Sequence, residues 1–369
     1  VGIEKLQGLI TLGTQTQGWV LDETLGIEVL SQGDNSMLFL LYGVCTLVAV
    51  AVFLVVYISN IYSAKHVQDL ADQNVHIPTF KEDLKDLMDN KFHLTLMTIP
   101  QLMVTIFTVL PLIYMVLIAF TNYDKDHQPP GALFHWVGLA NFKDMLFSAS
   151  SFSHTFFPVL GWTLIWAVFA TFTCYIGGLI LALLINRKGT KAKGFWRFMF
   201  VISIAVPQFV TLLAMKTVFN DNGPANILLT QLGIIDKPIY WFAEPNIARV
   251  VIICINFWIG VPFTMLSTTG ILQNIPAELY ESARVDGANA VVTFFKITLP
   301  YMLFVTTPYM ITQFTGNINN FNVIFLLSGG NPTPVENTAG KTDLLVTWLY
   351  KLTIDKQYYN LGAVIGIMT

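Results

Sequence analysis

The chain has 369 residues, 20 of them Lys or Arg and 23 Asp or Glu, so 12% are charged against about 25% in an ordinary soluble domain. With 54% hydrophobic residues, 28 Phe and a mean hydropathy of +0.60, the composition excludes a soluble enzyme and describes a polytopic membrane protein. The net charge of −3 points to neither a nucleic-acid partner nor an acidic substrate, so charge carries meaning only connection by connection.

The sequence opens on Val1, and the stretch through Ser36 has no basic segment followed by a long apolar core, so no cleavable signal is read. Six stretches are long enough to cross a bilayer: Met37 to Tyr62, Leu94 to Tyr123, Val159 to Asn186, Phe198 to Phe219, Ile247 to Leu272 and Pro300 to Leu327. A seventh starts near Leu361 and runs off the end, and both ends of the chain are expected to be cut. Pro111, Pro207, Gly260 with Pro262, and Gly316 fall at mid-depth, which requires neighbouring helices or a cavity to satisfy the freed backbone groups. Cys45, Cys174 and Cys254 lie in apolar runs without metal or disulfide spacing and read as small packing residues.

Orientation follows from the basic residues. Arg187, Lys188, Lys191, Lys193 and Arg197 crowd one short connection, which is placed in the cytoplasm. Counting outward from it, the connections holding Lys65, Lys81, Lys85 and Lys91, and Arg284 and Lys296, are also cytoplasmic. Lys216 lies near the outer end of its span, where snorkelling and a functional intramembrane charge are the two readings.

Between the fifth and sixth spans, Pro276 opens a short helix, Glu278 and Glu281 suit its positive end, and Gly287 can take the positive φ of a C-terminal bend. Taken alone this is an interfacial amphipathic helix. However, Glu281-Ser282-Ala283, three residues, Gly287, nine residues, Ile297-Thr298-Leu299-Pro300 resembles the EAA loop of ABC-importer permeases, with Ser282 as a small-for-small replacement. Trp136-Val137-Gly138-Leu139-Ala140-Asn141-Phe142, Ser328-Gly329-Gly330-Asn331-Pro332, Asp343-Leu344-Leu345-Val346 and Asn360-Leu361-Gly362-Ala363 extend the likeness from about Leu94 to the end. Together they resemble the MalF-like family of maltose/maltodextrin permease subunits, in the Gram-positive form that lacks a large extracellular insertion after the second span.

The resemblance implies an all-α membrane protein with the type I ABC importer permease fold, having six complete transmembrane helices and a truncated seventh. Its expected layout is an outer segment, first helix and cytoplasmic linker over 1–93, and the permease domain over 94–369 with the coupling loop at 274–300. It further implies that Glu278, Glu281, Ser282, Ala283, Arg284, Asp286 and Gly287 couple to an ATPase. The implied partners are a second permease subunit, two ABC ATPase subunits, an extracellular solute-binding protein, an oligosaccharide and the lipid bilayer. No cofactor is expected on this chain, ATP and Mg being bound by the ATPases, and no metal.

A neutral saccharide presents hydroxyls in every direction, so its site needs amides that donate and accept, with apolar faces for the rings and no buried charge. Gln313, Asn317 and Asn320, with Gly316 beside them, fall at helical spacing on the sixth span; Asn256 on the fifth is followed by Ile259, Gly260 and Phe263, and Gln208 follows Pro207 on the fourth. The bland reading of each amide is an interhelical tie. The resemblance implies sugar contacts at Ile204, Gln208, Asn256, Ile259, Gly260, Phe263, Gly316, Asn317 and Asn320. Where the family carries aromatic residues this chain has Gly316 and Ile204, which implies a roomier site.

Other readings have less support. Gly340-Lys341-Thr342 has Val335 in place of the first glycine of a phosphate loop, and the six histidines have no catalytic or zinc spacing. A secondary transporter needs intramembrane carboxylates, and the six spans carry no Asp or Glu at mid-depth. A membrane enzyme needs a catalytic constellation that these spans lack. A permease for another oligosaccharide is the nearer alternative.

Overall fold

The computed structural model describes residues 2–14, 18–22, 24, 26–31, 33–73, 75–187, 189–335 and 337–369; Val1 and Lys188 of the basic connection lie outside the described residues. The chain divides into two compact units, Val1–Lys143 with Lys356–Ile367, and Asp144–Asp355 with Met368–Thr369.

In the first unit, α1 (Gly2–Ile10) packs on α2 (Ser36–Asp72), and between them β1 (Gly18–Asp22) and β2 (Ile27–Ser31) form an antiparallel hairpin. Asn35 caps α2 by accepting from the Leu38 amide at 3.3 Å. The helix continues past the expected Tyr62 to Asp72 because no Gly or Pro interrupts it, and charge alone does not stop a helix. After α3 (Phe80–Met88), α4 (Phe92–Val104), a π-helical turn at Thr105–Val109 and α5 (Leu110–Ile118) form one crossing. The π-turn ends two residues before Pro111, whose missing N–H and ring would otherwise disrupt the α ladder. In α6 (Ala140–Leu146), buried Asn141 donates to the carbonyls of Ala119 and Thr121 at 2.8 and 2.7 Å.

The second unit comprises α7 (Ser151–Asn186), α8 (Lys193–Ala205), α9 (Gln208–Val218), α10 (Pro224–Gln231), α11 (Pro245–Gln273), α12 (Ala277–Val285), α13 (Ala290–Thr293), α14 (Leu299–Ile318), α15 (Phe321–Leu327) and α16 (Leu345–Tyr350). A second π-turn, Phe294–Thr298, again precedes a proline, Pro300. Small residues let α7 and α11 approach: a Cβ on Gly178 would meet Thr264 Cβ at 2.5 Å, and one on Gly260 would meet Cys174 Sγ at 2.5 Å. Trp162, Trp166, Leu212, Ile252, Ile255, Ile324 and Leu327 form the core beside this seam. Of the three cysteines only Cys174 is fully packed, since Cys254 is exposed and Cys45 intermediate. Two residues of the basic connection close the end of α7: Lys193 Nζ donates to the Asn186 carbonyl at 2.9 Å and Arg197 donates to the Asn186 side chain.

The last helix, α17 (Tyr359–Met368), belongs mainly to the first unit, where Asn360 Nδ2 donates to Asn141 Oδ1 at 3.1 Å. Two separated sequence motifs thus meet in one buried amide pair.

Among the described residues, five stretches are long and apolar enough to cross a membrane: Ser36–Asp72, Phe92–Ile118, Ser151–Asn186, Pro245–Gln273 and Ala290–Ile318. The fourth expected crossing, Phe198 to Phe219, is a bent pair, α8 and α9 meeting at 89°. Pro207 is the reason: it lacks the N–H that would continue α8, and it holds Val206 extended at ψ 124°. The stretch read as Pro300 to Leu327 is also divided, because Asn319 and Asn320 end α14 and start α15.

Candidate functional site

The bend between α8 and α9, the α7–α11 seam and the end of α14 surround a cavity of about 560 Å³ within the second unit. Ile204, Gln208, Asn256, Ile259, Gly260, Phe263, Asn317 and Asn320 line it, and Gln313 joins them. Gly316 does not line it, although its neighbour Asn317 does.

The amides differ in how much hydrogen bonding they have left. Asn317 Nδ2 donates to Thr171 Oγ1 at 3.0 Å, and its Oδ1 accepts from Asn320 Nδ2 at 3.3 Å. Asn320 Oδ1 caps α15 by accepting from the Val323 amide at 3.3 Å. Asn320 is therefore not on the same helix as Gln313 and Asn317, as its spacing suggested; the break between α14 and α15 brings it beside Asn317 instead. Asn256 has a weaker partner, Cys174, whose Sγ lies 3.5 Å from Nδ2 and 3.6 Å from the Asn256 carbonyl. Gln208 and Gln313 have no side-chain hydrogen-bond partner among the described residues.

The wall contains Trp258, Phe263, Tyr309 and Tyr175, and hydroxyls from Thr171, Ser203, Thr211, Thr264 and Ser267. Among the described lining residues there is no Asp, Glu, Lys, Arg or His. A charge-free wall of amides, hydroxyls and aromatic faces can donate to and accept from many hydroxyls without desolvating an ion. Tyr309 was missed in the sequence although it stands one helical turn before Gln313, and Thr264 one turn beyond Gly260; extending the same i, i+4 spacing finds both. Thr171, Cys174 and Tyr175 form a small polar stripe on α7 that apolar content had concealed.

A second candidate region is the loop around α12. Pro276 is its N-cap, and Gly287 adopts φ 72°, with the Ala288 amide donating to the Ala283 carbonyl at 2.8 Å. Tyr280 and Thr298 hydroxyls are 3.1 Å apart and tie α12 to the π-turn before α14. Glu278, Glu281, Ser282, Arg284, Asp286 and Gly287 are exposed, and Ala283 is buried beneath them. No ion pair among the described residues engages these four charges. Leu279 and Val285 are exposed apolar neighbours on the same helix, and Val285 is 88% exposed.

The Ser328–Pro332 and Asp343–Val346 motifs serve a local structural purpose. Ser328 and Thr342 hydroxyls are 2.8 Å apart, and fully buried Asp343 accepts from the Gly340 amide at 2.7 Å, Thr347 Oγ1 at 2.8 Å and Lys351 Nζ at 2.7 Å. Nearby, the Arg249 guanidinium donates to the Lys341 carbonyl at 2.8 and 3.0 Å and stands 4.5 Å from the Trp162 ring centroid.

Residues 174–368 match the family of binding-protein-dependent transport system inner membrane components. The galactooligosaccharides transport system permease protein GanP of Bacillus subtilis is 37% identical over 94% of this chain and 82% of its own length. The maltodextrin transport system permease protein MdxF of Bacillus subtilis is 35% identical over 100% of this chain and 82% of its own. The crystal structure of a bacterial ABC transporter that imports the acidic polysaccharide alginate shares the fold, with a TM-score of 0.60 and 22% identity over 77% of this chain and 92% of that one. The chain belongs to the binding-protein-dependent transport system inner membrane component family: it is an all-α, multi-pass membrane permease subunit, a transport component and not an enzyme.

Proposed function

We propose that this chain is one permease half of an ATP-driven importer for neutral oligosaccharides of the maltose/maltodextrin type. The observation that carries the reading is the charge-free cavity, in which amides and hydroxyls alternate with aromatic faces. The permease names of the relatives agree with it. Ile204, Gln208, Asn256, Ile259, Gly260, Phe263, Asn317 and Asn320 are proposed as sugar contacts, and Gly316, off the cavity wall beside Asn317, is left out of the proposed contacts.

In this reading the 65–91, 187–197 and 274–300 connections face the cytoplasm. Residues 94–369 form the permease domain, and 1–93 an outer segment, first helix and linker. A second permease completes the channel, two ABC ATPases dock under it, and an extracellular solute-binding protein delivers sugar. The exposed charges of α12, with Leu279 and Val285, form the ATPase contact, while Gly287 sets its angle and Ala283 lets α12 pack close. ATPase closure moves α12 as a lever and switches the cavity between outward and inward access. The bend at Pro207 keeps the unpaired backbone groups of a broken helix at the cavity, where a saccharide can use them.

The test is uptake of labelled maltodextrin by the assembled complex in vesicles, with galactooligosaccharide as competitor. ATP-dependent uptake of maltodextrin that galactooligosaccharide fails to displace supports the proposal. Uptake without ATP, or preference for the galactooligosaccharide, overturns the transport mode or the substrate respectively.

A further inference from the structure

The region between α2 and α4 takes no part in the cavity or the α12 loop, yet it is built with care. At about 3.6 residues per turn, Phe80, Leu84, Leu87 and Met88 share one face of α3, with Lys81 and Asp83 at its margins and Glu82, Lys85 and Asp86 behind. That face is bare: Phe80 is 80% exposed and Met88 65%, and no residue of α3 is buried. The helix itself is well made, since the Glu82 carboxylate accepts from the Thr79 amide at 2.7 Å and lies 3.1 Å from His76 Nε2.

α3 is also fixed in place. Asp86 holds Lys91 Nζ at 2.7 Å and Asn90 Nδ2 at 2.8 Å, and the Asp86 carbonyl accepts from the Lys91 amide at 2.7 Å. Thr95 Oγ1, on α4, donates to the Leu87 carbonyl at 2.8 Å. These bonds clasp the end of α3 to the start of a membrane-crossing helix, and the three residues 89–91 keep it within about 10 Å of that crossing.

We propose that α3 lies in the plane of the bilayer surface as an interfacial anchor, its Phe80–Leu84–Leu87–Met88 face seated in the leaflet where α2 ends and α4 begins. On the orientation proposed above, this is the cytoplasmic leaflet. Continuity decides the occupant: beyond the corner Phe92, Leu96, Met97 and Ile99 of the crossing helix are likewise exposed apolar residues that lipid must cover, so the α3 face extends that same lipid-covered surface. Lys81, at the edge of the face, can snorkel toward the headgroups. An amphipathic helix clasped to α4 resists displacement of that helix along the membrane normal, giving the moving bundle a fixed point at the membrane surface. The inference rests on the membrane topology and is independent of which sugar is carried.

The test places an environment-sensitive NBD fluorophore on single cysteines substituted for Phe80, Leu84 and Met88, and for Glu82 and Lys85, in the assembled importer in phosphatidylethanolamine–phosphatidylglycerol vesicles. The chain carries Cys45→Ser, Cys174→Ala and Cys254→Ser. Blue-shifted emission quenched by doxyl-labelled lipid at 80, 84 and 88, with water-like emission at 82 and 85, is the expected pattern. Equal water-like emission at all five positions overturns the proposal, as does protection at 80, 84 and 88 that lipid quenchers cannot reach, which assigns the face to the ATPases. Hydrogen exchange on the permease pair with its native cysteines, in lipid nanodiscs without ATPases, is the second measurement. Protection of amides 80–88 that Leu84→Glu abolishes is expected, and amides exchanging as fast as an unfolded peptide contradict the proposal.

Discussion

Asn317 donates its side-chain amide to Thr171 at 3.0 Å across the α7–α14 contact, so one proposed sugar contact is also an interhelical tie. An amide has two N–H donors, and this bond uses one of them. The two roles separate by mutation. Thr171→Val removes the tie and one wall hydroxyl but leaves Asn317 in the cavity, which should lower the melting temperature of the purified complex by an amount equivalent to about 1 kcal/mol and reduce uptake less than the loss of Asn317 does. Asn317→Leu should lower both stability and uptake, with affinity falling about five- to a hundredfold. Unchanged selectivity in Asn317→Leu would reduce the residue to a tie.

The geometry of Gly287 supports a test of the α12 lever. At φ 72° a residue with a Cβ is strained by roughly 1 to 2 kcal/mol, and proline cannot adopt this φ at all. Gly287→Pro should therefore abolish uptake while the protein still inserts and assembles; Gly287→Ala should retain part of the activity. Uptake assays normalised to membrane-inserted protein read both. Normal uptake with Gly287→Pro would make α12 a passive surface helix.

Asp343 and Lys351 form an ion pair whose carboxylate is fully buried. Lys351→Met strands that charge and should cost about 3 kcal/mol or more, seen as a marked drop in melting temperature. Lys351→Arg should restore most of it if the guanidinium reaches the carboxylate. Because this pair is not among the cavity-lining residues, the surviving folded complex should keep its sugar preference.

Much of this organisation was legible in the sequence. Hydropathy located the crossing segments, and the loop pattern from Glu281 to Pro300 located α12 and its bend, because a positive-φ glycine leaves a local signature. The 89° break at Pro207 was less visible: a proline within an apolar run marks a kink but not its size, which the packing of α8 on α11 and α7 and of α9 on α15 decides. Asn320 was placed on the wrong element because i, i+3 spacing is the same whether the helix continues or restarts there. The Asn141–Asn360 pair could not be anticipated, since each amide looked locally like half of a separate motif. Trp258 and Tyr309 were hidden in spans where aromatic residues are common and only three-dimensional packing tells cavity from lipid.

Gln208 offers the most direct measurement, because it lines the cavity and has no side-chain tie among the described residues to complicate its loss. ATP-driven maltodextrin uptake by reconstituted complexes carrying Gln208→Leu should fall about five- to a hundredfold or shift in chain-length preference, with basal ATPase activity and melting temperature close to those of the unmodified complex. Uptake and preference equal to those of the unmodified complex, at equal assembly, would contradict the assignment of this cavity as the sugar path.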